Sequence, residues 1–159
     1  MKIYTIGVYG SSEKSFFNKL IENKIELFCD IRQRRGVRGS EYVFVNSKRL
    51  QEKLKEIGVY YLHVLDLAPT TEIRKLQQEA DFELGAKKRD RYHLGQVFST
   101  EYDSKILQKF NFESLIERFK EDKISRVAFF CVETYPEACH RYLVAREINR
   151  LFDIEIIHL

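Results

Sequence analysis

Residues 126–151 read RVAFFCVETYPEACHRYLVAREINRL, and this stretch decides the fold. It opens on RVAFFCV, residues 126–132, apolar or aromatic at nearly every position. A near-continuous apolar run predicts a strand covered on both faces, because a half-exposed strand would alternate. Residues 137–151 then place Leu143, Val144, Ile148 and Leu151 at helical spacing. IEIIH, residues 154–158, closes the unit as a second strand. Strand, helix and strand in that order predict two parallel strands joined by a crossover.

The same alternation extends toward the N-terminus. KIYTIG (2–7), IELFCDI (25–31) and VYYLHVL (59–65) are β-branched and aromatic runs. Between them, residues 12–24 carry Phe16, Phe17, Leu20 and Ile21 on one helical face, behind Ser11 and Ser12 as N-caps. Residues 47–57 carry Leu50, Leu54 and Ile57, and Gly58 stops that helix. A short helix is expected near 70–79 and another over 111–122. Residues 81–105 are polar, basic and aromatic, and read as an irregular excursion. The expectation is therefore a single α/β domain over residues 1–159. It is three-layered, Rossmann-like or flavodoxin-like, with a mainly parallel five-stranded sheet.

Composition agrees. The chain has 159 residues, 44% apolar and 32% charged, which excludes wholesale disorder. No apolar run approaches bilayer length and MKIYTIGVYG lacks a signal-peptide layout, so no membrane association and a cytoplasmic location are expected. Cys29, Cys131 and Cys139 are too few and odd in number for a disulfide framework. The net charge of +3 says little, but its distribution says more. RQRRGVR, residues 32–38, and KKRDR, residues 87–91, concentrate basic charge.

In an open α/β sheet, ligands bind beyond the carboxyl ends of the strands. The residues just past each strand therefore make up the candidate site. Gly7, Tyr9, Gly10 and Ser11 come after the first strand. Asp30, Arg32, Arg34 and Arg35 come after the second, and Asp66 after the third. Cys131, Glu133, Cys139, His140 and Arg141 come after the fourth. The segment C-x-E-x5-C-H-R, with Thr5-Ile6-Gly7, Asp30-Ile31-Arg32 and Tyr61-Leu62-His63, resembles the uncharacterised prokaryotic family "domain of unknown function 488". That resemblance spans nearly the whole chain. It implies an α/β fold with a strand-end site and implies no established reaction.

Three chemical readings stay open. In the first, Gly7, Ser11, Arg32, Arg34, Arg35 and Arg141 hold a phosphate or other anion, and the partner is a nucleic acid or a phosphorylated small molecule. Asp30 or Glu133 is then the acid–base group. Cys131 or Cys139 is the nucleophile, the latter activated beside His140 at a helix start. In the second, Cys131 and Cys139 with His140 or Glu133 form a metal or redox module without enzymatic activity. Adjacent Cys-His is an awkward chelate, so no metal ligands are assigned. In the third, the segment is structural, with Cys131 inert and Arg141 paired to Asp30. A phosphatase cradle fails because Cys131 and Arg141 are ten residues apart and Cys139 and Arg141 only two. No G-x-G-x-x-G or Walker motif occurs, so the cofactor is left unknown. His63 and His158 read as hydrogen-bonded strand residues, and Tyr92 and His93 as exposed loop.

Overall fold

The computed structural model describes residues 1–85 and 91–159. Five parallel strands form one sheet: β1 (Lys2–Ile6), β2 (Leu27–Asp30), β3 (Tyr60–His63), β4 (Arg126–Phe130) and β5 (Ile156–His158). Their spatial order is β3-β2-β4-β1-β5. The helices are α1 (Glu13–Glu22), α2 (Ser47–Glu56), α3 (Thr71–Glu83), α4 (Gln96–Lys105), α5 (Phe112–Glu121) and α6 (His140–Phe152).

Alternation of side chains along the strands builds two cores. Ile3, Leu27, Cys29, Val127 and Phe129 face one way, onto Tyr102 of α4, Ile116 and Phe119 of α5, and Val144 and Ile148 of α6. Tyr4, Ile6, Phe28, Ala128 and Phe130 face the other way, onto Phe16 and Leu20 of α1 and Leu50 and Leu54 of α2. The parallel, doubly covered sheet is the one that the apolar runs predict.

Two local expectations need correction. Residues 96–105, read as irregular, form α4, and α3 runs on to Glu83. The α4 sequence QVFSTEYDSK is rich in Ser, Thr, Val and Asp, which are weak helix formers. Tertiary anchoring decides instead: Phe98 and Tyr102, one helical turn apart, are buried, and the Tyr102 hydroxyl donates to the Leu67 carbonyl (2.6 Å). The second correction concerns the last helix. It does not start at residue 137. Pro136–Ala138 form a 3-10 turn, Cys139 is extended (φ −141°, ψ 143°), and α6 begins at His140. Of the basic stretch 87–91, only Arg91 lies among the described residues.

The topology opens a crevice. β2 and β4 are neighbours, with Asp30 beside Phe130. The helix that follows β2 packs on one face and the helix that follows β4 packs on the other. Where neighbouring strands send their helices to opposite faces, the chain parts at the strand carboxyl ends and leaves room for a ligand.

Candidate functional site

The segment after β4 is pinned before it turns into α6. Cys131 N–H donates to the Ile6 carbonyl (3.3 Å), and Val8 and Tyr9 N–H donate to the Val132 carbonyl (3.2 and 3.0 Å). Gly7 is required here: a Cβ on it would sit 2.0 Å from the Glu133 carbonyl oxygen. Arg141, from the first turn of α6, reaches back and donates to the carbonyls of Glu133 (2.6 Å) and Thr134 (3.0 Å). The residue is 1% exposed. Arg141 therefore clamps the loop that carries Glu133, and it is not the partner of Asp30.

That clamp gathers the reactive groups. Cys131 Sγ lies 3.2 Å from Glu133 Oε2, as expected for residues two apart at an extended strand end. Cys139 Sγ lies 3.8 Å from His140 Nδ1. His140 Nε2 is 3.0 Å from the Ile31 carbonyl. A carbonyl only accepts, so Nε2 carries a hydrogen and Nδ1 is the ring nitrogen facing the thiol. The ring is wedged edge-on against Tyr102. One donor atom from each of Cys131, Cys139 and His140 lies within 4.8 Å of the other two, and all three residues are buried.

Electrostatics distinguishes the cysteines. Burial alone would push the Cys139 thiol up, yet its titration lies well below the ordinary thiol range. A hydrogen bond from Cys131 and the positive charge of His140 and Arg141 outweigh burial. Burial opposes charge on His140 too, but the neighbouring Cys139 sulfur, the Ile31 carbonyl and Glu133 raise its pKa. The pair thus favours thiolate and imidazolium. Cys29, fully buried in mid-strand, is pushed far up and stays a thiol.

Asp30 and Arg32 form a second buried unit. Arg32 Nε and Nη2 meet Asp30 Oδ1 and Oδ2 at 2.8 and 2.7 Å, and Nη2 also donates to the Val45 carbonyl (3.0 Å). The Tyr61 hydroxyl donates to Asp30 (3.0 Å). Arg35 in turn hydrogen-bonds Tyr61. His63 Nε2–H donates to the Arg32 carbonyl (2.9 Å). Arg32 Nη1, also buried, has no protein partner.

Both units border one pocket of about 450 Å³. Cys131, Glu133, Cys139 and His140 contribute to its lining, as do Tyr9 and five arginines: Arg32, Arg34, Arg38, Arg74 and Arg91. Glu133 is the one acidic group among the described lining residues. Arg91 is paired with Asp81 (2.7 Å) and Arg74 donates to Gln33 (2.8 Å). Arg34 and Arg38 are exposed. Of the residues singled out from sequence, Tyr9, Cys131, Glu133, Cys139, His140, Arg32 and Arg34 meet at this pocket. Gly7, Ser11, Asp30, Arg35 and Arg141 lie outside its wall, and all but Ser11 support groups that form it.

Sequence reasoning missed Arg74 and Gln77, on one face of α3, and Tyr102. The i, i+3 spacing of Arg74 and Gln77 is a usable signal only once α3 is known to face the strand ends. Nothing local marks Tyr102. The sequence model described as "Domain of unknown function DUF488" matches residues 12–148. No curated protein and no solved structure matches the chain. Among the described residues, no helix is long and apolar enough to cross a membrane.

Proposed function

The chain belongs to the DUF488 family, a domain of unknown function, and from its geometry we propose that the pocket binds a phosphate-bearing ligand of nucleotide size, with Cys131, Glu133, Cys139 and His140 at its reactive end. The observation that carries this reading is the union of five arginines and the Cys–His–Glu cluster in one pocket. Planar guanidinium forks suit phosphate oxygens, and the unpartnered Arg32 Nη1 offers a further buried donor. A volume near 450 Å³ is in the range of small-molecule sites. It suits one nucleotide unit, free or within a chain, better than a long stretch of duplex.

Three of these arginines divide into two roles, Arg74 and Arg91 being engaged with Gln33 and Asp81. Arg34 and Arg38, exposed at the pocket, supply screened attraction. Arg32, held by Asp30, supplies a fixed contact. In the reduced, metal-free protein Cys139 is more reactive than Cys29, because it opens on the pocket and Cys29 does not.

The test is binding of inorganic phosphate, mononucleotides and short single-stranded DNA and RNA by thermal shift and fluorescence anisotropy at several salt concentrations. Binding should weaken as salt rises, and replacing Arg34 and Arg38 with alanine should flatten that dependence. Iodoacetamide should modify Cys139 before Cys29, and bound ligand should slow it. If no phosphate-bearing probe binds at low salt, the reading fails.

A further inference from the structure

We infer that Cys131, Cys139 and His140 form a three-ligand site for a zinc-type divalent ion, with the fourth position turned to the pocket and Glu133 beside it. The inference goes beyond the phosphate reading and does not depend on it. It starts from the donor set. Two sulfurs and an imidazole nitrogen within 4.8 Å of one another are the ligand types that zinc selects. With metal–sulfur bonds near 2.3 Å and metal–nitrogen bonds near 2.0–2.1 Å, tetrahedral donors sit roughly 3.5–3.8 Å apart. Cys139 Sγ and His140 Nδ1 already lie at 3.8 Å. The remaining separations need to close by roughly 1.3 Å at most, a movement within reach of cysteine side-chain rotation.

The sequence objection to an adjacent Cys-His chelate disappears in three dimensions. Cys139 is extended and His140 is the first helical residue. The change of backbone conformation between them turns both side chains toward Cys131. His140 also shows the outer-sphere pattern of a metal-bound imidazole. Its Nε2–H donates to the Ile31 carbonyl at 3.0 Å, which leaves Nδ1 for the ion. The three ligands come from two anchored segments. Cys131 is held by the Ile6 carbonyl, and the chain before Cys139 is held by Arg141.

Glu133 completes the chemistry without being one of the three ligands. Its carboxylate lies 3.2 Å from Cys131 Sγ and it lines the same pocket. A carboxylate next to an open position on a zinc ion is the arrangement in which metal-held water gains a base. The arginines then lie on the ligand side of the pocket, and Glu133 with the ion at its floor.

The experiment uses the full chain, purified under reducing conditions, stripped with a chelator and titrated with Co2+ and then Zn2+. Wild-type protein should bind one Co2+ per chain, with thiolate-to-cobalt charge transfer and the absorption of tetrahedral cobalt, and Zn2+ should displace it. Cys131→Ser, Cys139→Ser and His140→Gln should each weaken binding at least tenfold. Cys29→Ser and Glu133→Gln should leave the stoichiometry and the thiolate band in place. Far-ultraviolet circular dichroism of each variant identifies any that fail to fold. If a ligand variant fails, the wild-type spectrum and the Cys29→Ser comparison still decide the matter. Absence of thiolate-to-cobalt absorption in the wild type, retention of full affinity in the folded ligand variants, or loss of binding in Glu133→Gln would overturn the assignment. Phosphate binding by the stripped protein, and its response to Arg34 and Arg38, is read separately. Failure of one proposal is thereby distinguishable from failure of the other.

Discussion

Replacing Asp30 with leucine tests whether the buried ion pair organises the carboxyl end of β2. Asp30 is 0% exposed and accepts from Arg32 Nε, Arg32 Nη2, the Arg32 backbone N–H and the Tyr61 hydroxyl. Leucine removes all four contacts and strands a guanidinium whose residue is 4% exposed, with only Val45 O and the face of Phe130 for company. Breaking one side of a buried pair costs about 3–5 kcal/mol. In a chain of this size each kcal/mol lowers Tm by roughly 2–4 °C, so a fall of about 6–20 °C is expected. Arg32→Met, which keeps the contact with Phe130, should cost less, because Asp30 retains the Tyr61 hydroxyl and the backbone N–H of residue 32. The double variant removes both charges; the backbone N–H of residue 32 loses Asp30 and the Val45 carbonyl loses the guanidinium, while Tyr61 keeps Arg35. This variant should cost about 1–3 kcal/mol, less than the Asp30→Leu single variant. Equilibrium urea denaturation of the four proteins closes the cycle. A single-variant cost below about 1 kcal/mol, or strict additivity in the double variant, would refute the assignment of Asp30 and Arg32 as a mutually dependent pair.

Two other substitutions have definite expected outcomes. Gly7→Ala places a methyl 2.0 Å from the Glu133 carbonyl oxygen and 3.1 Å from Arg141 Nη2. The obstacle is backbone, so about 3 kcal/mol of destabilisation is expected, the upper end of ordinary overpacking; a melting temperature indistinguishable from wild type would contradict it. Glu26 accepts from Ser125 N–H (2.6 Å), Ser125 Oγ–H (3.0 Å) and Arg126 N–H (2.9 Å), tying β2 to the start of β4. Burial pushes its carboxyl up, but these bonds and the Arg126 charge win and hold it below the usual range. A depressed carboxyl adds stability that is complete above its unfolded pKa, near about 4.3, and is lost as pH falls through the folded value. Glu26→Gln should therefore have a flatter stability profile than the wild type between about pH 5 and 3. Parallel profiles for the two proteins would count against the role assigned to Glu26.

The parallel sheet was legible because its strands are short apolar runs, and because α1, α2, α5 and α6 each carry one apolar stripe. Strand order was not, since β2 and β4, with Asp30 beside Phe130, lie far apart in the chain and no local pattern encodes their pairing. The strand-end cluster was legible as residue types: Cys131, Glu133, Cys139 and His140 do meet. What each contacts was not. Arg141 was a candidate for phosphate or for Asp30; its guanidinium meets two loop carbonyls, not Asp30. The approach of Cys131, Cys139 and His140 to within 4.8 Å was not legible either, since it depends on Cys139 being extended where His140 is helical. The contribution of α3 and α4 was hidden for a different reason. Their inward residues Arg74, Gln77 and Tyr102 are identified by what lies opposite them, and that is a tertiary fact.

The two buried units at the strand ends are mechanically joined, and the joint is Ile31. Its carbonyl receives the Nε2 hydrogen of His140 and thereby aims Nδ1 at Cys139. Its neighbours on either side are Asp30 and Arg32, locked to each other across it. His63 holds the Arg32 carbonyl from β3. The orientation of the imidazole is therefore set by a charge pair that does not touch it. A variant that loosens Asp30 should release the Ile31 carbonyl and let the His140 ring turn. The Cys139–His140 pairing should weaken with it, even in protein that remains folded. Arg141 does the same for the other wall, holding the Glu133 carbonyl while its charge favours the Cys139 thiolate. Charges buried at this depth are costly to desolvate. Here they hold fixed the two loops on which the sulfur, imidazole and carboxylate groups depend for their meeting.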